Sequence, residues 1–263
     1  MSTSTADTAP PIDLAAALEV AADSARDAGK YLRGQFGLPL HVNELKRFDI
    51  KLEIDVKTQD RITNRLLAAY PEHALYGEEG VAGNPASEFQ WVVDPLDGTV
   101  NYFYGIPHYC VSIALRHGQD LLIGAIYDPM LDEMWTAAVG EPTLLNGQPC
   151  RVSQRASLDE AVITVGFAKS ESAMEAGLAR YRQLASRVRK MRMMGSAALA
   201  MTYIACGRLD AYIESTISLW DIAAGKLIIE GAGGRVSLNP SPAQPDKFSI
   251  VASNGRLHEE FLD

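Results

Sequence analysis

The sequence predicts a mixed α/β fold built of stacked helical and sheet layers, and three observations carry that expectation. Between residues 12 and 36, Leu14, Leu18, Ala21, Ala25, Ala28 and Leu32 recur at three- and four-residue steps, the period of a helix with one apolar face. Two apolar, β-branched runs, 109–116 and 121–127, flank His117-Gly118-Gln119-Asp120, a hairpin signal. Beyond residue 160, short apolar runs alternate with longer helical ones, as layered α and β units require.

The remaining elements follow from the same signals. Residues 1–11 are small and polar and read as a disordered tail. The stretch 37–54 lacks a period and gathers Lys46, Arg47, Asp49, Lys51 and Glu53, which suits an exposed turn or mobile hairpin. A second helix is expected from about Asp55 to Tyr70, stopped by Pro71. Strands are expected at 74–77, 89–94 and 133–138, and Asn146-Gly147 marks a tight turn. The second half reads as strands at 161–166, 189–193, 209–214, 234–237 and 248–252. Its helices fall at 171–187, 196–206 and 220–231, with a short one from Leu257. Gly140, Pro142, Gly147 and Pro149 soften the chain near 140–150. Residues 12–263 are therefore read as one domain in two intimate halves, about 12–145 and about 146–263.

Composition excludes several classes. With 263 residues and 47% hydrophobic content the chain can bury a large core. A net charge of −9 does not favour a nucleic-acid partner or an anionic membrane. No run approaches the length of a membrane span, and Met1 to Pro11 lacks the basic and apolar regions of a secretory signal. Cys110, Cys150 and Cys206 form no CxxC pair and read as thiols in a reducing, cytoplasmic setting. The chain has no GxxxxGK[ST] loop, which argues against an NTPase, and no CxxxxxR loop. Gly231-Ala232-Gly233-Gly234 follows a helix rather than a strand, so it reads as a helix cap and turn, not a dinucleotide site.

The chemistry concentrates in Trp91-Val92-Val93-Asp94-Pro95-Leu96-Asp97-Gly98-Thr99. An apolar strand is expected to stop at Asp94, because Pro95 cannot donate to a ladder, and Gly98 permits a tight bend. Asp94, Asp97 and the Leu96 carbonyl then offer three oxygens within four residues, the donor type that a hard cation such as Mg²⁺ takes. Taken alone, the same residues also fit a capped turn. Tyr76-Gly77-Glu78-Glu79-Gly80 again places acids at a strand end, and Trp220-Asp221 opens an apolar helix, where an Asp equally serves as a cap.

Together, GEEG, DPLDGTVN and WDIAAG, in this order, resemble the signature segments of the inositol monophosphatase family, within the lithium-sensitive, magnesium-dependent phosphomonoesterases. The resemblance runs from about residue 12 to 262. It implies a five-layer αβαβα sandwich of the inositol monophosphatase and fructose-1,6-bisphosphatase type, a homodimer, Li⁺ sensitivity and two or three Mg²⁺ per active site. It also implies roles. Glu78, Asp94 and the Leu96 carbonyl would hold one Mg²⁺, and Asp94, Asp97 and Asp221 a second. Asp97, Gly98 and Thr99 would bind the phosphate, in part through backbone N–H groups at a helix start. Thr99 and Glu78 would orient and deprotonate the attacking water. Glu214, seven residues before Asp221, would bind an inositol hydroxyl, with Ala197 and Asp221 completing the substrate contacts.

Asp55 lies 23 residues before Glu78, the family's register for an outer-sphere or second-metal acid, although Lys51-Leu52-Glu53-Ile54-Asp55 departs from the usual Val-Thr-x-x-Asp; Asp60 then falls on the solvated side. Gly140-Glu141-Pro142-Thr143 and Gly166-Phe167-Ala168-Lys169 also depart from the family and bear on the sugar pocket. The implied activity is hydrolysis of a small phosphomonoester, inositol monophosphate first. Histidinol phosphate, fructose 1,6-bisphosphate and 3′-phosphoadenosine 5′-phosphate stand as alternatives within the class. A regulator that keeps the fold and binds a protein or RNA complex is the alternative outside it. The complete set of metal-ligand types argues against that last reading. Trp220, His108 and the group Tyr102, Phe103, Tyr104 and Tyr109 read as packing.

Overall fold

The computed structural model describes residues 12–262, apart from Phe48, residues 168–170 and Ala243, so the expected tail lies outside the described residues. Helix α1 (Leu14–Gln35) begins where the Asp13 carboxylate accepts the N–H groups of Ala15 and Ala16 at 3.0 and 3.1 Å. Its buried stripe is small: Ala17, Ala21, Ala25, Ala28 and Leu32. Small side chains let α1 lie close to its neighbours, and the gain is burial of apolar surface at roughly 25 cal/mol per Å². The charged stretch 37–54 forms an antiparallel hairpin of β1 (Val42–Lys46) and β2 (Asp49–Leu52), followed at once by α2 (Glu53–Ala69).

The first sheet holds β3 (Ala74–Gly77), β4 (Gly80–Gly83), β5 (Phe89–Asp97), β6 (Cys110–His117), β7 (Asp120–Asp128), β8 (Glu133–Ala138), β9 (Leu144–Leu145) and β10 (Gln148–Pro149). Their order is β10-β9-β8-β7-β6-β5-β3-β4, antiparallel except for the β3–β5 pair. The short helix α3 (Thr99–Phe103) follows β5. The second sheet holds β11 (Val162–Val165), β12 (Lys190–Arg192), β13 (Ala211–Ser218), β14 (Arg235–Ser241) and β15 (Gln244–Ser253), in the order β12-β11-β13-β15-β14. Its helices are α4 (Glu171–Ala185), α5 (Ala197–Ala205) and α6 (Leu219–Gly231).

Two cores meet through the first sheet. Successive side chains of a strand point to opposite faces. Trp91 and Val93 therefore enter the core that α1 and α2 cover, while Val92 enters the core shared with α5 and α6. The second sheet closes that core from the far side, and α4 packs on its outer face against β11 and β13. The layers read helices, sheet, helices, sheet, helix, the five-layer sandwich expected from the resemblance. Because both faces of the first sheet are covered, its middle strands are almost continuously apolar.

Three differences from the sequence reading have local causes. β5 does not stop at Asp94 but runs through Pro95 to Asp97. Asp94 pairs with Ser112 and Asp97 with Cys110, so three steps on β5 face two on β6; Pro95 sits in this bulge, where no ladder N–H is needed. β4 was not expected, since Gly80-Val81-Ala82-Gly83 carries too little apolar signal, and it folds back on β3 as an edge strand. The last helix is a single 3₁₀ turn, His258–Phe261.

Contact between α6 and the first sheet depends on Gly124 of β7, where a Cβ would stand 2.9 Å from both the Cα and the carbonyl oxygen of Ala224. Backbone atoms cannot turn aside, so Gly124→Val is expected to cost about 2–3 kcal/mol, read as a lower denaturant midpoint in equilibrium unfolding.

Candidate metal centre and substrate cleft

The tip of β5 and the start of α6 converge on one carboxylate cluster. One oxygen each from Asp94, Asp97 and Asp221 lies within 4.8 Å of the others. Asp94 and Asp97 are delivered by the bulged end of β5, and Asp221 by the first turn of α6. Glu78, directly after β3, lines the same cleft and faces Asp94 closely enough to oppose its ionisation. Gly98 makes the turn from β5 into α3 with φ 101°, and a Cβ there would stand 2.9 Å from the His108 carbonyl, so only glycine fits. The Thr99 hydroxyl donates to the Leu96 carbonyl at 3.0 Å.

Burial and mutual repulsion set the electrostatics. Burial, then Glu78, Asp97 and Asp221, push the Asp94 carboxyl well up, against one bond from the Leu96 N–H at 3.0 Å. Asp94 Oδ2 is buried and accepts no hydrogen bond among the described residues. Burial and Asp221 push Asp97 up to about 7. Three donors from α5 oppose that rise: Ser196 Oγ and the Ala198 N–H, both 2.6 Å from Oδ2, and the Ala197 N–H, 3.3 Å from Oδ1. Crowded carboxylates with an orphaned oxygen suit a hard divalent cation, which would relieve the repulsion and take up the open lone pair. These residues therefore fit the metal that the resemblance implies.

The cleft, about 660 Å³, extends from this cluster toward the second sheet. Glu78, Asp94, Leu96, Asp97, Gly98, Thr99, Ala197, Glu214 and Asp221 all line it, so nearly all the site residues expected from the sequence meet there. Asp55 does not line it. Asp55 is buried at the first turn of α2, where its Oδ2 accepts the Leu52 N–H at 2.9 Å and caps the helix. Asp60 is exposed, as expected.

Other expectations for neighbouring residues divide. His108 is a packing residue beside the Tyr203 ring, and His117 pairs with Glu88 on the surface. Tyr102 and Tyr109 are buried, whereas Tyr104 is 69% exposed, because α3 is too short to turn it inward. Trp220 lines the cleft and leans on Tyr76 at 5.3 Å, rather than serving only as core.

Three contributors were not legible beforehand. Ser196 reads from sequence as an ordinary helix cap, which it is, with the Leu199 N–H at 3.2 Å; the same hydroxyl also holds Asp97. Tyr212 donates to the Glu214 carboxylate. Gly166 leaves the space that this carboxylate fills, since a Cβ there would overlap it. The departure at Gly166 was visible; that Glu214 occupies the vacated volume was not.

The sequence model of the inositol monophosphatase family matches residues 13–263. The chain belongs to that family. Inositol monophosphatase 1 of Solanum lycopersicum is 36% identical over 255 residues, covering 94% of this chain and 93% of the tomato protein. The Nus factor SuhB of Xylella fastidiosa is 40% identical over 224 residues, covering 84% and 81%. A solved structure of the suppressor protein SuhB from Bartonella henselae superposes with a TM-score of 0.87 at 32% identity, covering 94% of this chain and 96% of that one. As a family member the chain is a phosphoric monoester hydrolase, and the family is metal-dependent. No helix among the described residues is long and apolar enough to cross a membrane.

The raised carboxyls give a pH dependence. An acid whose folded pKa exceeds its unfolded value contributes stability that is complete below about pH 4 and is lost as pH rises through the folded pKa, here about 7 for Asp97. With EDTA present, the melting temperature is therefore expected to fall as pH rises from 5 to 8. Mg²⁺ should restore it most at pH 8, where protons no longer compete for the carboxylates; a flat Mg²⁺ effect across this range would contradict the cluster.

Proposed function

We propose that this inositol monophosphatase family member hydrolyses inositol monophosphate to inositol and phosphate, with Mg²⁺ held by Glu78, Asp94, the Leu96 carbonyl, Asp97 and Asp221. The observation that carries this reading is the meeting of Asp94, Asp97 and Asp221 at one point of a cleft that Thr99 and Glu214 also line. The tomato relative named inositol monophosphatase supports the substrate.

The residues divide the work by position. The first amides of a helix lack partners within it, so Gly98, Thr99 and the start of α3 offer N–H donors to phosphoryl oxygens. The Thr99 hydroxyl, committed as a donor to Leu96, presents its lone pairs to the attacking water. Glu78, which follows β3 and lines the same cleft as Thr99, accepts the proton that this water loses. When bound, Mg²⁺ supplies the positive charge that offsets the phosphoryl oxygens and lowers the pKa of water. The water oxygen bonds to phosphorus as the ester phosphorus–oxygen bond breaks. The leaving alkoxide takes a proton from solvent while Glu78 returns its own to solvent, which leaves phosphate in the carboxylate end of the cleft and the alcohol beside Glu214 and Ala197. Glu214, oriented by Tyr212, accepts a hydroxyl of the inositol ring.

The same reading includes two or three Mg²⁺ per site, Li⁺ sensitivity, a cytoplasmic setting and a homodimer. Support for the last comes from exposed Tyr104, Ile106 and Met193, large side chains at the end of α3, in the loop after it and in the segment leading to α5.

Phosphate release from inositol 1-phosphate is expected to require Mg²⁺ and to stop with EDTA. Asp94→Asn should lower kcat/KM at least a thousandfold while the far-UV circular dichroism stays native; unchanged turnover would remove the cluster from the reaction. Tyr212→Phe leaves Glu214 without its hydroxyl donor and is expected to raise KM for inositol 1-phosphate about fivefold to tenfold with little change in kcat. Steady-state kinetics separates the two effects.

A further inference from the structure

Most charged groups in the cleft are acids, but two lysines line it as well. Lys51 is 3.8 Å from Glu79, which offsets its charge. Lys247, on β15 opposite Ser218 of β13, forms no ion pair among the described residues. Its Nζ donates to Ser218 Oγ at 2.5 Å and lies 5.5 Å from the centroid of the Trp220 ring. Trp220 is braced from its other neighbour, Tyr76, whose hydroxyl bonds to Asp246, so the acid adjacent to Lys247 in sequence is engaged elsewhere. An ammonium carries three donors, and Ser218 takes one. The rest remain for a ligand in the cleft that Lys247 lines. The side chain is thus fixed by a hydroxyl and an aromatic face, with no carboxylate in ion-pair contact among the described residues.

From this we infer that Lys247 forms a second anion subsite, which binds a carboxylate or phosphate on the alcohol portion of the ester. The inference rests on the phosphatase reading above and extends it. The reacting phosphoryl group belongs at the carboxylate cluster with its cations. Lys247 stands on β15 of the second sheet and holds the Ser218 cap, whereas Asp94 and Asp97 end β5 of the first sheet, so it meets a different group of the same ligand. The uncharged hydroxyls of an inositol ring are served by Glu214 and backbone groups and do not call for an ammonium. A charge-assisted bond to a second anion does, and such bonds are about twice as strong as neutral ones.

The test uses pairs of esters that differ by one negative group: glycerol 2-phosphate against 2-phosphoglycerate for a carboxylate, and inositol 1-phosphate against inositol 1,4-bisphosphate for a phosphate. Phosphate release is measured for the wild type, Lys247→Met and Lys247→Arg. The expected result is that K247M lowers the charged-to-uncharged ratio of kcat/KM about tenfold in at least one pair, chiefly through KM, and that K247R restores it. The pair that responds identifies the anion. Because the ratio is internal to each variant, partial misfolding cancels from it. An unchanged ratio in both pairs overturns the subsite, as does an equal loss in K247M and K247R, which would mark Lys247 as a support for the α6 cap. Should the wild type release phosphate from none of these esters, the phosphatase reading itself falls, and calorimetric binding of the same pairs then decides on Lys247 by the same ratio.

Discussion

Carboxylate repulsion is the constraint around which this protein is organised. Asp94, Asp97 and Asp221 are brought within a few ångströms of each other in a place where burial already opposes their charge. Nothing local to those residues favours such an approach. It is imposed by the two cores: β5 carries Asp94 and Asp97 at the end of a strand packed on both faces, and α6 carries Asp221 at the end of a helix wedged between the sheets. Marginal net stability means that a few kcal/mol of repulsion is a large fraction of the whole, so a cation is the natural complement of the folded state.

Asp97 has a second part in this arrangement. Its carboxylate joins the end of β5 to the start of α5, through Ser196, Ala197 and Ala198. Asn101, four residues further on, repeats the connection, donating to the carbonyls of His108 and Met194 at 2.8 and 3.0 Å. Asp97 is therefore also a fastener between the tip of β5 and the start of α5. Its hydrogen bonds hold the charged form, which burial alone would suppress.

What the sequence revealed follows from how local each signal is. The periodicity of Leu14 to Leu32 and the hairpin around Gly118 are set by neighbouring residues, and both elements stand where expected. The acids of GEEG, DPLDGT and WDIAAG could be read as a group because their spacing matches a family, although composition alone left each with an ordinary capping role. Asp55 shows the limit: its register points to the site, whereas its side chain caps α2, and only the course of the chain between 47 and 55 decides between them. The passage of β5 through Pro95 was hidden for a similar reason, since the bulge exists only in the pairing with β6. Contacts made across the molecule, Ser196 with Asp97 and Gly166 with Glu214, leave no trace in local sequence.

The cleft draws its walls from two different sheets. The strand that presents Asp94 and Asp97 lies in one, and the strands that carry Glu214 and Lys247 lie in the other. The acidic cluster and the wall that faces it can consequently drift apart over evolutionary time. A lineage is free to remodel the side chains of β13 and β15 while the bulged tip of β5 is inherited unaltered.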